Sequence, residues 1–203
     1  MKLVLATHNP HKCEELRQIL RGELGNSIEV LTLDDIHPPI GDIEETGTTL
    51  EENALIKART VHEITKLPTV ADDTGLEVAA LNGAPGVYSA RYSGENATYA
   101  SNVQKLLAAM KGKKDRSAKF STVIAYIDEQ SNPHLFRGEI EGTIATEPHG
   151  TNGFGYDPVF VPQEGQNQTY AEMADEEKNA ISHRGRALRA FIRYLGGTTN
   201  FAT

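Results

Sequence analysis

The fold is decided by the stretch Leu67-Pro68-Thr69-Val70-Ala71-Asp72-Asp73-Thr74-Gly75. Its apolar start predicts a buried strand, and the two aspartates follow where that strand is expected to end. Neighbouring carboxylates repel each other and lose hydration when they are covered, so they need a compensating partner. Magnesium (Mg2+) is suitable, because it binds hard oxygen ligands and commonly uses one or two carboxylates together with substrate phosphates.

Asp72 and Asp73 are expected to have different roles, because successive side chains of a strand point to opposite faces. The same residues, followed by Thr74 and Gly75, also suit an Asx turn that has no function. The stretch alone leaves both interpretations open.

Composition and charge exclude several classes of protein. The length of 203 residues predicts a single domain over residues 1–203, with or without two lobes. Its formal net charge of −8 argues against nucleic-acid binding, which requires a basic face. The single cysteine, Cys13, cannot form an internal disulfide and is expected to pack. No apolar run is long enough for a membrane span or a signal peptide, so we predict a cytoplasmic protein without membrane contact.

The first half of the chain alternates strands and helices. Leu3–Ala6 predicts a buried central strand, and a helix is predicted from Pro10 to about Gly22 with Asn9 as its N-cap. The loop Thr7–Lys12 lies at the positive end of this helix, and Lys12 adds a full charge, so the loop predicts an anion site. An ordinary capped turn is the alternative, since the Walker pattern is missing.

A second helix is predicted by the capping-box spacing of Thr48 and Glu51, and it should run to about Lys66. Its inward apolar residues are expected to be Leu50, Ala54, Leu55, Ala58, Val61 and Ile64. Glu44-Glu45 precede this helix. They either interact favourably with its dipole or supply a second carboxylate to a metal at Asp73.

The second half has a different pattern. From Ala118 to Thr146 the pattern changes to a period of two along part of the segment. It predicts one strand from Phe120 to Ile127 and another from Leu135 to Thr146, joined by the loop Glu129–Pro133. We therefore predict an α/β fold with a mixed twisted sheet, flanking helices and two lobes around a central cleft that binds the ligand.

The loop Gly150–Pro158 holds three glycines and two aromatic residues, Phe154 and Tyr156. Glycine allows a close approach of backbone to ligand, and an aromatic ring can stack on a nucleobase, which is worth about 1–3 kcal/mol. The alternative is a tight turn in which both rings anchor the loop to the core.

The last helix is predicted to begin at Ser182-His183-Arg184-Gly185, and the tail from Gly196 to Thr203 is expected to be frayed. Basic residues at a helix start oppose its dipole, and such a conflict points to a functional site.

Together these loops resemble the inosine triphosphate pyrophosphatase family, also called dITP/XTP or non-canonical purine nucleoside triphosphate pyrophosphatases. The matching motifs, in family order, are Thr7-His8-Asn9-Pro10-His11-Lys12, Glu44-Glu45-Thr46-Gly47, Ala71-Asp72-Asp73-Thr74-Gly75-Leu76, Gly83-Ala84-Pro85-Gly86-Val87-Tyr88-Ser89-Ala90-Arg91, Gly153-Phe154-Gly155-Tyr156-Asp157-Pro158, and Lys178 with Ser182-His183-Arg184-Gly185. Two positions depart from the pattern. His8 stands where a small residue is expected, and Asn152 stands where glycine is common.

The resemblance implies a homodimer and magnesium-dependent hydrolysis of ITP, dITP and XTP to the monophosphate and pyrophosphate. It implies that Asp73 is the general base and a metal ligand, and that Glu45 is a further metal ligand. It also implies substrate contacts by Thr7, His8, Asn9, Pro10, His11, Lys12, Thr74, Phe154, Gly155, Tyr156, Asp157, Lys178, His183 and Arg184.

Rejection of adenine requires a hydrogen-bond donor aimed at the 6-keto oxygen, because a 6-amino group would leave that donor unpaired at a cost of about 1–3 kcal/mol. Our hypothesis is that Arg184, His183 or a nearby backbone N–H supplies this donor. Three alternatives stay open at this point: a pyrophosphatase for modified pyrimidine nucleotides, a non-catalytic nucleotide sensor, and a protein-interaction module.

Overall fold

The computed structural model describes residues 1–199, and residues 200–203 lie outside the described part. Over that range the strands are β1 (Lys2–Leu5), β2 (Glu29–Thr32), β3 (Thr69–Val78), β4 (Pro85–Gly86), β5 (Ser117–Ile127), β6 (Pro133–Ile144) and β7 (Phe160–Pro162). The α-helices are α1 (Pro10–Leu24), α2 (Leu50–Thr65), α3 (Tyr99–Ala109), α4 (Asp175–Ile181) and α5 (His183–Thr199). None of these helices is both long and apolar enough to cross a membrane.

The strands form one mixed sheet in the order β2-β1-β3-β5-β6-β7, and β4 pairs with β3. Strand β1 is parallel to both β2 and β3. The pairs β3–β4 and β6–β7 are antiparallel. Parallel pairing follows from the helical crossovers of the first half, whereas the second half returns directly. The predicted mixed sheet with flanking helices is confirmed.

Strand β3 corrects the interpretation of the aspartate stretch. The sequence predicts a strand that ends before Asp72, with a turn as the alternative, but Thr69–Val78 is one continuous strand with both aspartates inside it. The backbone stays extended because each carboxylate meets cations from other elements. Lys12 and Arg184 contact Asp72, whereas Lys57 contacts Asp73. The two aspartates therefore have different partners, and their different roles stay a prediction.

Helix α2 differs from its prediction in its cap and in its buried face. Its N-cap is Thr49 rather than Thr48, and the Thr49 hydroxyl accepts from the backbone N–H of Glu52 at 3.2 Å. Ile64 is 52% exposed instead of buried. The buried face includes polar residues with specific partners, among them Lys57 and His62.

Helix ends and short elements account for the remaining differences. Helix α1 continues two residues beyond the predicted end and terminates at Leu24. Strand β7 and helix α4 have no counterpart in the prediction. Helix α5 includes residues 196–199 of the tail that the sequence predicts to be frayed, and the rest of that tail lies outside the described residues.

The chain divides into two compact units. The first unit comprises residues 1–73, 122–138 and those from 184 onward, and the second comprises residues 74–121 and 139–183. The first has a core of Leu3, Leu5, Leu16, Leu20, Val70, Ile124, Leu188 and Phe191, among others. The second has a core of Leu76, Val78, Leu106, Met110, Phe120, Val159, Phe160 and Tyr170, among others. Each unit thus has its own apolar core, and this core positions the strands and helices on which the site residues of that unit lie.

Candidate active site

The predicted anion loop of the first unit is shaped by its own side chains. Asn9 caps α1, and its Oδ1 accepts from the backbone N–H groups of His11 and Lys12 at 3.0 and 3.3 Å. The Thr7 hydroxyl accepts from the Asn9 N–H at 3.1 Å. Pro10 occupies the first turn, where its missing N–H costs no helical hydrogen bond. The loop therefore lies at the positive end of α1, a position that favours a phosphate.

His8, which departs from the family pattern, is exposed and forms a hydrogen bond with a second loop. Its Nε2 lies 3.3 Å from the carbonyl oxygen of Gly41. Gly41 precedes Glu44-Glu45 in the chain, so this bond connects the anion loop to the segment that leads to the predicted metal ligand.

A buried ion-pair network stabilises Lys12. Its Nζ lies 3.2 Å from Asp72 Oδ2, and the same oxygen accepts from Arg184 Nε at 3.2 Å. Arg184 also forms a short ion pair with Glu15 through its Nη1 atom. Burial alone would raise the pKa of Asp72, but the positive charges of Lys12 and Arg184 outweigh it and hold that pKa below its ordinary value. Asp72 is therefore an anion that joins two cations.

Asp73 belongs to a second charged group. Lys57 Nζ lies 3.1 Å from Asp73 Oδ1 and 2.6 Å from Glu45 Oε1, so one ammonium bridges two carboxylates. Asp73 Oδ2 is buried and has no hydrogen-bond partner among the described residues. Burial raises the pKa of Asp73, and the positive charges of Lys57 and Lys12 offset only part of this effect. These features are typical of a carboxylate that accepts a proton.

The carboxylates present suit magnesium better than a metal that takes all of its ligands from protein side chains. No group of three or more His, Cys, Asp or Glu side chains suited to a metal occurs within residues 1–199. Magnesium usually binds through one or two carboxylates and takes its other ligands from water and phosphate. Glu45 and Asp73 converge on one cation already, and one buried Asp73 oxygen has no hydrogen-bond partner among the described residues. The residues present therefore fit the ion.

The glycine-rich loop of the second unit is held by charged and backbone contacts. The Phe154 N–H donates to Asp157 Oδ2 at 2.8 Å, and Lys178 Nζ lies 2.8 Å from the same oxygen. Lys178 Nζ also lies over the Phe154 ring, 5.0 Å from its centroid. Asn152 donates its side-chain amide to the Met173 carbonyl at 2.9 Å. Its departure from glycine therefore adds an anchor to the loop.

The two aromatic residues of this loop have different surroundings. Tyr156 is 5% exposed, lies in the core of the second unit and donates its hydroxyl to the Ser89 carbonyl at 2.8 Å. Phe154 is half-buried. The core-anchor interpretation thus applies to Tyr156, and the Phe154 ring is the better candidate for stacking on a base.

The remaining predicted substrate residues of the second unit are Thr74, Gly155 and His183. Thr74 is half-buried in β3, directly after Asp73, and Gly155 has a positive φ of 65°. The His183 ring is buried and stacks on Phe120, with centroids 4.5 Å apart and planes within 7°. That contact makes the His183 ring part of the packing of this unit.

Sequence reasoning missed Lys57 and Glu15. Lys57 lies on the apolar face of α2, between Ala54, Ala58 and Val61, where a lysine has to find a buried anion. A lysine on the apolar face of this helix was the sequence signal that could have identified it. Glu15 gave no comparable signal, because its partner Arg184 is 169 residues away in the sequence.

The chain belongs to the Ham1 family, whose model matches residues 3–194. It is 53% identical over 195 residues to a dITP/XTP pyrophosphatase of Porphyromonas gingivalis, covering 96% of this chain and 97% of that protein. A dITP/XTP pyrophosphatase of Escherichia coli K12 is 48% identical over 199 residues, covering 96% and 98%. The solved structure of a HAM1 protein from Coxiella burnetii matches with a TM-score of 0.86 and 46% identity, covering 97% of this chain and 99% of that one. The resemblance drawn from the motifs is confirmed.

Replacing Gly153 by alanine tests the loop geometry. A Cβ there would lie 2.1 Å from Asp157 Oδ2, the atom that accepts from Phe154 and Lys178. Hydrogen bonds to charged groups are worth about 1.5–3 kcal/mol, so we expect KM for ITP to rise about tenfold or more. Gly112→Ala is the matched control, because Gly112 also has a positive φ, no described atom lies within 4 Å of the added Cβ, and the residue is outside the proposed site. Equal KM values in the two variants would contradict the role of Asp157.

Proposed function

We propose that the chain hydrolyses non-canonical purine nucleoside triphosphates (ITP, dITP and XTP) to the nucleoside monophosphate and pyrophosphate. The observation that carries this proposal is the charged group around Lys57, where Glu45 and Asp73 converge and one Asp73 oxygen is buried without a hydrogen-bond partner among the described residues. Relatives of about half identity over almost the whole chain are named dITP/XTP pyrophosphatases, which supports the same reaction here.

Breaking a phosphoanhydride requires neutralisation of phosphate charge and an oriented water molecule, and no covalent nucleophile is needed. In this proposal the loop Thr7–Lys12 holds the triphosphate, with the positive end of α1 and the Lys12 ammonium directed to phosphate oxygens. Asp72 and Arg184 contribute by keeping Lys12 in place. The Asp73 carboxylate accepts the proton of the attacking water.

Glu45 and Asp73 would hold magnesium. When bound, the ion neutralises charge on the phosphates and polarises the bond that breaks. Lys57 keeps the two carboxylates together, so that their mutual repulsion does not separate them.

The purine is assigned to the second unit. Phe154 offers its ring for stacking, and Asp157 and Lys178 fix the backbone around it. Thr74, Gly155, Tyr156 and His183 complete the proposed set, with Tyr156 and His183 acting from within the core. A donor to the 6-keto oxygen would then come from a backbone N–H of this loop or from a nearby side chain.

The test is release of pyrophosphate from ITP and XTP, with ATP and GTP in parallel, in magnesium and in EDTA. We expect magnesium-dependent release from ITP and XTP at a much higher kcat/KM than from ATP. Release from ATP at an equal kcat/KM would contradict the base preference. Absence of release from every nucleotide would contradict the reaction itself.

Glu45→Gln tests the metal assignment. The concentration of magnesium for half-maximal activity is expected to rise by about tenfold or more, since even outer-shell partners of a metal are worth 10–100-fold in affinity. Glu44→Gln is the matched control, because Glu44 is the neighbouring, exposed carboxylate. If both variants need the same magnesium as the wild type, Glu45 is not a ligand.

Two further properties are proposed with the family membership, namely a homodimer and a cytoplasmic location. Sedimentation velocity of the purified chain tests the first, and fractionation of the source cells tests the second.

A further inference from the structure

Tyr99 is an exposed aromatic residue that contacts the glycine-rich loop. It is the first residue of α3, is 42% exposed, and has its ring centroid 5.8 Å from that of Phe154 with the planes at 45°. This distance lies within the range of a favourable aromatic pair. Tyr99 lies outside the motifs by which the sequence resembles the family.

The orientation of Phe154 depends on contacts of this kind. The residue lies between Gly153 and Gly155, whose φ angles are 71° and 65°. Glycines at positive φ have wide conformational freedom, so the local backbone does not by itself fix the direction of the Phe154 ring. The hydrogen bond from the Phe154 N–H to Asp157 fixes the backbone, whereas Tyr99 and Lys178 contact the ring itself.

Tyr99 is itself held by a rigid element. The N-cap Thr98 accepts from the Ser101 N–H at 3.1 Å, and the Ser101 hydroxyl accepts in return from the Thr98 N–H at 2.8 Å. Asn102, one turn into the helix, is buried and accepts from the Ser93 N–H at 2.7 Å. A side chain at such a capped helix start is placed more precisely than one within a loop.

We propose that Tyr99 is a positioning residue for base recognition: its ring holds the Phe154 ring in the orientation that stacks on the purine of the substrate. The inference rests on the proposed assignment of the base to Phe154. The ring of Tyr99 carries this role and its hydroxyl does not, because the contact with Phe154 is between rings.

Steady-state kinetics with ITP give the first test. In Tyr99→Ala we expect KM to rise about threefold to tenfold, the range of one aromatic pair, while kcat changes less than twofold. Tyr99→Phe should match the wild type. Leu135→Ala is the control for loss of an exposed apolar side chain, because Leu135 is 43% exposed, close to the value for Tyr99, and lies outside the family motifs. Wild-type KM in Tyr99→Ala, or equal KM increases in Tyr99→Ala and Tyr99→Phe, would overturn the proposal.

A direct binding measurement separates failure of this inference from failure of the base assignment. The chain contains no tryptophan, so Phe154→Trp places its single tryptophan in the loop. Inosine monophosphate should quench its emission, and adding Tyr99→Ala should raise the half-quenching concentration about threefold to tenfold. If quenching occurs with the same midpoint in both proteins, the role of Tyr99 is overturned while the base assignment stands. If inosine monophosphate does not quench Phe154→Trp at all, the base assignment falls and the inference falls with it.

Discussion

Replacing Asp73 by asparagine is expected to lower the rate of pyrophosphate release from ITP by about 10²–10⁴-fold, the usual contribution of a positioned general base. Asparagine has nearly the same shape, and its amide oxygen can still accept from Lys57 Nζ, which lies 3.1 Å from the native carboxylate. The amide cannot accept a proton from water. The loss should therefore appear in kcat, while the chain stays folded by circular dichroism.

A magnesium titration of Asp73→Asn distinguishes the two roles assigned to Asp73. If the carboxylate acts only by holding the ion, a higher magnesium concentration should restore the rate. We expect saturating magnesium to leave most of the defect, because the proton acceptor is still missing. Asp115→Asn is the control for loss of one carboxylate, since Asp115 is exposed and its described hydrogen bonds are local ones from Ser117. A wild-type rate in Asp73→Asn would remove Asp73 from the mechanism.

The parts of the site that depend on short-range sequence were predictable. The cap of α1 requires only Asn9, Pro10 and the two residues that follow, so a local pattern specifies it. The same holds for the family motifs, because five of the six are continuous segments.

The parts that depend on long-range pairing were not predictable. Lys57 and Asp73 are 16 residues apart, and Arg184 and Asp72 are 112 residues apart. For the same reason, the sequence predicts that the strand ends at Asp72 and Asp73, whereas the strand continues through both residues. Adjacent carboxylates look too costly for a buried strand until the cations that reach them from α1, α2 and α5 are known.

The choice between Phe154 and Tyr156 also depends on the three-dimensional structure. Both are aromatic residues two positions apart in a loop rich in glycine, so composition treats them alike. The positive φ at Gly153 and Gly155 and the hydrogen bond from Tyr156 to Ser89 decide which ring enters the core. Neither feature can be read from the order of residues alone.

Replacing Arg184 by methionine is expected to lower the free energy of unfolding by about 3–5 kcal/mol, the usual cost of removing one partner from a buried ion pair. Methionine fills similar space but leaves Asp72 and Glu15 without the guanidinium, which is 3% exposed in the native chain. Urea denaturation at neutral pH measures the change. The control is Lys2→Met, because the Lys2–Glu29 pair spans 3.6 Å with both side chains more than half exposed, and such surface pairs contribute little.

The same variant decides between two roles for Arg184 in the reaction. A donor to the 6-keto oxygen would act on ITP but not on ATP, so its loss would lower the preference for ITP. If Arg184 instead supports Lys12 through Asp72, its loss would weaken binding of the triphosphate. Both nucleotides share the triphosphate, so KM should rise by the same factor for each. Because the Arg184 guanidinium already binds Asp72 and Glu15, we expect KM to rise by the same factor for ITP and for ATP. The kinetics of Arg184→Met are measured below its lowered denaturation midpoint, where the protein stays folded. A lower ITP preference with unchanged stability would instead assign Arg184 to the base.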